Sequence, residues 1–527
     1  MKKAAIGLVL GSVLGLLSGC KTVVPDKSGS AQVMPALTLY QQHCAVCHGD
    51  DRLGRIGPAL LPENLGRLKK DDAVSTILHG RAASQMPAFQ DKLTAEQAQA
   101  LVGFIYAPPA QIPVWNEKEM RASHVVPNKP GSLPDQPLFK ADPLNLFVVV
   151  ETGDHHVTLL DGDRFEPIHR FATRYALHGG PKFSPEGRYV YFGSRDGWVS
   201  KFDIYNLKWV AEIRAGINLR NIAVSADGRY VIAGNYLPHT LVILDAADLT
   251  PLKIIAARDE HDKTSRVSAV YDAPPRKSFI VALKDIPEVW EIPYSDAHEP
   301  IYPGYVHDYK MGEGIASKGL FPIRRIKLDD YLDDFFFDPD YKNLIGASRN
   351  GKNGQVVNLI VGRKIADVEL PGLPHLGSGI TWEYQGHPVL ATPDLKESVV
   401  SIIDMTDWKT IKRIPTLGPG FFMRSHENTP YAWADVFFGP NKGALHVIDK
   451  RTLEIVQTLR PQPGKTAAHV EFTRDGKYAL VSIMEMDGAI VVYEAATLKE
   501  IKRIPLKKPL GKYNIYNKIT RSAGTSH

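Results

Sequence analysis

Cysteine is nearly absent from this chain: three occur in 527 residues, at positions 20, 44 and 47. So few cannot build a disulfide scaffold, and once two of them are engaged no pair remains. Excess charge of one sign is equally scarce. Lysine and arginine outnumber the acids by 5, and by 3 once Lys2 and Lys3 are set aside. A surplus so small and dispersed gives no electrostatic footprint for nucleic acid. No apolar run is long enough to be kept as a membrane span, because Ala4–Leu17 is too short and too rich in glycine. What remains, 44% hydrophobic and 23% charged, is ordinary globular material.

The first residues have a different purpose. Met1-Lys2-Lys3 is a short basic stretch, and with the apolar run behind it reads as a signal peptide, residues 1–19. It ends Leu17-Ser18-Gly19-Cys20, similar to a bacterial lipobox in which Cys20 receives lipid and becomes the first mature residue. Lys21, in place of Asp, resembles signals for the outer membrane. The expectation is a periplasmic protein tethered to the outer membrane through Cys20, with residues 20–32 as a flexible tether.

The other two cysteines stand in Cys44-Ala45-Val46-Cys47-His48. A Cys-x-x-Cys pair can be a redox dithiol, half of a zinc site, or, with the following histidine, an attachment site for c-type heme. Outside the cytoplasm an isolated dithiol tends toward a disulfide, and zinc needs two further ligands that no second cysteine pair supplies. Heme explains the histidine: Cys44 and Cys47 bond the porphyrin vinyls and His48 becomes the proximal iron ligand. Gly57-Pro58 follows, and then Gln85-Met86-Pro87, about forty residues on, resembling the distal loop of class I cytochromes c. A thioether opposite histidine raises the potential and suits electron transfer. Met86 is the expected sixth ligand and His79 its rival. Thr94-Ala95-Glu96-Gln97 predicts a capping box opening a helix that runs to about Tyr106. Residues 33–107 are thus a small all-α class I cytochrome c domain, followed by a proline-rich linker over 108–143 that wraps or spaces the domains.

The remaining chain, 144–527, repeats itself. Strand-like runs begin near Leu146, Gly187, Gly228, Lys277, Lys342, His387, Thr429 and Gly476. The intervals are 41 to 49 residues with one of 65, which carries an insertion around Tyr302 to Ile323. Entry turns recur as Glu186-Gly187-Arg188-Tyr189, Asp227-Gly228-Arg229-Tyr230 and Asp475-Gly476-Lys477-Tyr478. A period near 45 with about four strands per unit predicts an all-β propeller, and eight units fit. Eight blades leave a central cavity wide enough for a large planar ligand.

A heme domain followed by an eight-bladed propeller resembles the cytochrome cd1 nitrite reductase family, over nearly all of residues 35–520. Arg174-Tyr175-Ala176-Leu177-His178, Gly193-Ser194-Arg195-Asp196-Gly197, Pro374-His375-Leu376-Gly377 and Gly511-Lys512-Tyr513-Asn514-Ile515-Tyr516-Asn517 carry the likeness. The resemblance implies a propeller that binds heme d1, with His178 as iron ligand and Arg174, Arg195, Arg220 and Arg266 as partners for its carboxylates. Departures point to a particular branch. Where the reductase pattern has a distal histidine in the fifth blade this chain has Asp333-Asp334-Phe335-Phe336. The second distal histidine is present as His375, but a nearby arginine is replaced by Ser378. His469 stands at a glutamine-like position, and Tyr513 replaces phenylalanine. This pattern resembles the paralogous dihydro-heme d1 dehydrogenases, which implies oxidation of a propionate side chain of dihydro-heme d1 to the acrylate of heme d1. His469 and Tyr513 then handle protons, while His178 and His375 hold the tetrapyrrole iron. The implied cofactors are one covalent heme c and heme d1 or its dihydro form as substrate or product. The implied partners are the reductase itself, other heme d1 maturation proteins and a periplasmic electron acceptor. A nitrite reductase and a non-enzymatic heme d1 carrier are the alternatives, and His426 is a structural residue at a blade start.

Overall fold

The computed structural model describes residues 34–521, apart from 56, 67, 81–85, 112, 175, 299–300, 302–318 and 349–352. The signal peptide, Cys20, Tyr175, Gln85 and most of the insertion expected around 302–323 therefore lie outside the described residues.

Helices form the first domain, over Ala36–His43, Ala45–His48, Pro62–Leu65, Lys70–His79 and Ala95–Tyr106. The last opens with the expected capping box, in which Thr94 Oγ1 accepts from the Gln97 amide and the Gln97 side chain accepts from the Thr94 amide. Its buried stripe of Ala98, Leu101, Val102 and Ile105 has helical spacing and closes on Leu39, Tyr40, Ala73 and Ile77.

Beyond residue 145 the described chain makes eight four-stranded sheets. We number the blades along the chain. Blade 2 holds Lys182–Phe183, Tyr189–Gly193, Trp198–Asp203 and Lys208–Arg214, and blade 3 begins with Asn218–Val224. Blades 4, 5 and 6 begin with Val267–Ala273, Leu332–Phe337 and Ile380–Tyr384, and blades 7 and 8 with Met423–Ser425 and Ala467–Phe472. Blade 1 is closed by both ends of the domain: Pro509–Asn514 pairs antiparallel with Leu146–Glu151, matching Val148 to Tyr513 and Val149 to Lys512. The first strands of most neighbouring blades, and the closing strand 509–514 with the first strand of blade 8, touch from sheet to sheet and so line the axis.

Middle strands are covered on both faces by adjacent blades, so Ser278–Leu283 and Glu288–Pro293 are buried at every residue. Outermost strands such as Arg363–Val368 alternate exposed and sheltered positions. The apolar run starts seen in the sequence fall at the second strand of each blade, one strand out from the axis. Four of the axial strands are bulged, which weakens that signal in them. Their pairing skips Arg220 in blade 3, Ser268 in blade 4, Asp333 and Asp334 in blade 5, and His469 in blade 8. A bulge breaks the period of two and re-aims the skipped side chain.

The proline-rich connection is bound to the propeller along its length. A short helix, Glu117–Ser123, buries Met120 among the side chains of blades 2 and 3. Trp115 donates to the Arg214 carbonyl at 2.9 Å, and Val125 bridges Glu212 on the outermost strand of blade 2. This covers an edge that would otherwise present unpaired backbone groups. The two domains meet where Ala59 and Leu61 pack on Ile217, with Arg214 donating to the Leu53 carbonyl at 2.9 Å.

Candidate functional site

The cytochrome end of the site is local in sequence. His48 is buried, and its Nδ1 lies 2.8 Å from the Pro58 carbonyl. A carbonyl can only accept, so Nδ1 carries the proton and the Nε2 lone pair is left for iron. Gly57 lies flat against this ring; a Cβ there would stand 2.4 Å from His48 Cε1, so only glycine fits. Burial pushes the Cys44 thiol up to about 11. Among the described residues no group of three or more His, Cys, Asp or Glu side chains gathers into a metal site. The set of two thiols, an oriented histidine and a thioether loop fits heme c. Of the two candidates for the sixth position, Met86 packs against the core of the domain, whereas His79 is exposed and bonded back along its own helix to Ser75.

The propeller end is assembled from distant strands. His178 Nδ1 lies 2.6 Å from the Arg220 carbonyl, again fixing the proton on Nδ1. Its Nε2 faces Arg195 Nη2 at 2.8 Å and Arg220 Nη1 at 2.9 Å. Burial, then Arg195 and Arg220, pushes its pKa well below the ordinary histidine value, so the ring is neutral and a competent ligand. His375 repeats the device: Nδ1 is 2.7 Å from the Phe421 carbonyl, and burial again lowers the pKa. Two imidazoles whose lone pair lies on Nε2, with the buried guanidinium groups of Arg195 and Arg220 against His178, suit an iron tetrapyrrole bearing carboxylates.

Asp334 and Asp435 hold this arrangement in place. Asp334 accepts from Tyr271 at 2.6 Å and from the Gly377 amide at 2.8 Å, anchoring the turn that follows His375. Asp435 accepts from the amides of Phe421, Phe422 and His469, so one carboxylate ties the carbonyl partner of His375 to the bulge that carries His469. His469 sits at φ +50° in that bulge, its ring 4.7 Å from Phe422 and 5.0 Å from Tyr513. Burial, followed by Lys512 and Arg424, pushes its pKa well below the usual value. Burial raises that of Tyr513, which stays a phenol.

Four arginines were expected around the ligand. Arg195 and Arg220 reach His178, and Arg266 stands beside them, paired with Asp285 at 2.7 Å and 5.6 Å from the ring of Tyr236. Arg174 does not join them. Its guanidinium stacks 3.7 Å over Trp198 and forks onto Glu212 of the outermost strand. His426 is engaged structurally: Nδ1 accepts from the Asn428 amide and Nε2 meets the Arg474 carbonyl.

Sequence reasoning missed several groups. Burial would raise Tyr236, yet Arg220, Lys284 and Arg195 bring its phenol down to about 8. Asp333, standing where the reductase pattern has histidine, is bound by Lys284 at 3.0 Å. Lys182, Arg424, Lys512 and Lys518 are all buried. Only Lys512 lay in a quoted motif; nothing local marks the others as interior.

Comparison with known proteins agrees with this geometry. The family model "Cytochrome D1 heme domain" matches residues 141–310 and 316–518, and "Cytochrome C oxidase, cbb3-type, subunit III" matches residues 31–105. Dihydro-heme d1 dehydrogenase of Pseudomonas aeruginosa is 54% identical over 522 residues, 99% of each chain. Nitrite reductase of Stutzerimonas stutzeri is 25% identical over 98% of each chain. A solved structure of dihydro-heme d1 dehydrogenase NirN in complex with DHE superposes with a TM-score of 0.81 at 55% identity, covering 92% of this chain and 100% of its own. A c-type domain joined to a d1-type propeller, with this identity over the whole length, makes the chain a member of the cytochrome D1 heme domain family and, within it, of the group formed by the dihydro-heme d1 dehydrogenases.

Proposed function

We propose that this protein oxidises the propionate side chain of dihydro-heme d1 to the acrylate of heme d1. The reaction turns –CH2–CH2–COO⁻ into –CH=CH–COO⁻ and releases two electrons and two protons. His178 and His375 hold the substrate iron through Nε2, and Arg195 and Arg220 meet its carboxylates. His469, neutral because burial and neighbouring cations oppose its protonation, is available to accept a proton. Tyr513, whose phenol resists ionisation, relays or donates a hydrogen bond beside it. Heme c, when bound at Cys44, Cys47, His48 and Met86, would supply a one-electron acceptor used twice per turnover, each electron passing on to an external periplasmic acceptor. The observation that carries this reading is the His469–Tyr513 ring contact on the propeller axis, built from the blade 8 bulge and the closing strand.

The ion pair between Lys284 and Asp333 argues against nitrite reduction, since the position expected to donate protons is occupied by a paired carboxylate. The decisive experiment is anaerobic incubation of the oxidised, heme c-loaded protein with dihydro-heme d1 and an excess of a one-electron acceptor. The tetrapyrrole spectrum should change and the side chain should lose the mass of two hydrogens. Rapid nitric oxide production from nitrite, without that mass change, would overturn the assignment.

The basic, apolar and cysteine-bearing order of the first 20 residues supports secretion to the periplasm and lipidation at Cys20, and the relation to nitrite reductase supports transient handover of product to it. Cys20→Ser should release the protein from membranes into the soluble periplasmic fraction.

A further inference from the structure

The propeller axis gathers more buried basic side chains than carboxylates to face them. Lys182 of blade 2, Arg424 of blade 7 and Lys518 of the C-terminal helix Ile515–Thr520 are 7%, 8% and 4% exposed, and each lies within electrostatic reach of the other two. Two carboxylates face them. Asp334 is already committed to Tyr271 and to the Phe335 and Gly377 amides. Glu471 accepts from the Phe472 amide at 2.9 Å and stands 3.6 Å from Arg424 Nε. That leaves Arg424 Nη2 and Lys518 Nζ as buried donors with no hydrogen-bond acceptor. An unmet buried donor is costly, and an unmet buried cation more so. Burial pulls Lys182 down to about 7 and Lys518 well below its ordinary value. Proteins keep such groups where a ligand completes them.

The position names the ligand. The Lys518 ammonium lies 5.9 Å from the ring of Tyr513, and Arg424 acts electrostatically on His375, His469 and Tyr513 together. Basic groups whose burial opposes their charge become cations when an anion joins them, and the substrate brings one attached to the carbons that react. We propose that Arg424 and Lys518, with Lys182 beside them, form the carboxylate subsite for the propionate that is oxidised. Its two methylenes then fall between the anchored carboxylate and the His469–Tyr513 pair. This assignment rests on the functional reading above. It gives the guanidinium and ammonium groups a role distinct from Arg195 and Arg220, which face the iron-ligating histidine.

Lys518→Met in the full-length, heme c-loaded protein separates this role from a structural one. With no hydrogen-bonded partner to lose, replacing the ammonium by an apolar side chain of similar volume should leave the ligand-free melting temperature unchanged or raised. Affinity for dihydro-heme d1, followed by anaerobic absorbance titration, should fall about 10- to 100-fold, the range for a lost charged hydrogen bond. Lys518→Arg should recover most of that loss. An unchanged Kd in Lys518→Met, or weaker binding accompanied by a lower ligand-free melting temperature, would overturn the proposal. If the unsubstituted protein fails to bind dihydro-heme d1, the functional reading itself falls, independently of Lys518.

Discussion

The two ends of the candidate site are built on opposite plans. At the cytochrome end, Cys44, Cys47, His48, Pro58 and Met86 fall within one stretch of chain, and His48 is oriented by a carbonyl ten residues away. On the propeller axis, His178 is oriented by a carbonyl 42 residues away, His375 by one 46 residues away, and Tyr513 arrives on the strand that closes the ring. The histidine device is the same at all three positions, a backbone carbonyl fixing the proton on Nδ1 so that the lone pair lies on Nε2. What differs is what must fold first. A local site survives changes elsewhere, whereas an axial site exists only when every blade is in register. Blade 1 completes that register by pairing the C-terminal strand with the first one.

Substitutions can break this contrast in order of severity. Cys47→Ala should abolish double covalent attachment of heme c, visible as loss of the pigment's resistance to acid–acetone extraction. Tetrapyrrole binding by the propeller should persist, since the two sites share no side chain. Tyr513→Phe deletes one hydroxyl and should reduce acrylate formation about 10²- to 10⁴-fold with dihydro-heme d1 still bound. Full activity in that variant would reduce the tyrosine to packing. Met86→Ala should lower the midpoint potential of heme c without releasing it, measured by spectroelectrochemistry; an unchanged potential would transfer the sixth position to another group.

The smallest effect concerns acid. His469 has a folded pKa well below the unfolded value of about 6.5, because burial and then Lys512 and Arg424 oppose its charge. The unfolded chain therefore takes up a proton that the folded protein refuses. That contribution to stability is present above about pH 6.5 and is lost as pH falls toward the lower folded value. His469→Phe should show a shallower drop in melting temperature between about pH 7 and about pH 5 than the unsubstituted protein, by calorimetry in matched buffers. Equal slopes would place His469 in solvent-like surroundings.

The legibility of the two ends follows the same division. The heme motif, the capping box at Thr94 and the period of the blades could be read directly, because each depends on residues a few positions apart. Resemblance supplied His178, His375, His469 and Tyr513, which no local pattern selects. Arg174 and Arg195 illustrate the limit. They sit in neighbouring motifs and have identical chemistry, yet one forks onto Glu212 at the outer edge while the other reaches His178.

By itself, then, the sequence determined the covalent heme site, the two-domain order and the repeat, since thiol spacing and apolar periodicity act over one turn or one strand. Tertiary structure alone decided which cations face the axis. Lys182, Arg424 and Lys518 come from blade 2, blade 7 and the terminal helix, and no local pattern records that they are buried together. The axial strands that carry Arg220, Asp334 and His469 are bulged, so the alternation that reveals a strand's inner face fails at the residues that matter most. Burial of a charge is set by what the rest of the ring places around it, and that becomes defined only when the ring closes.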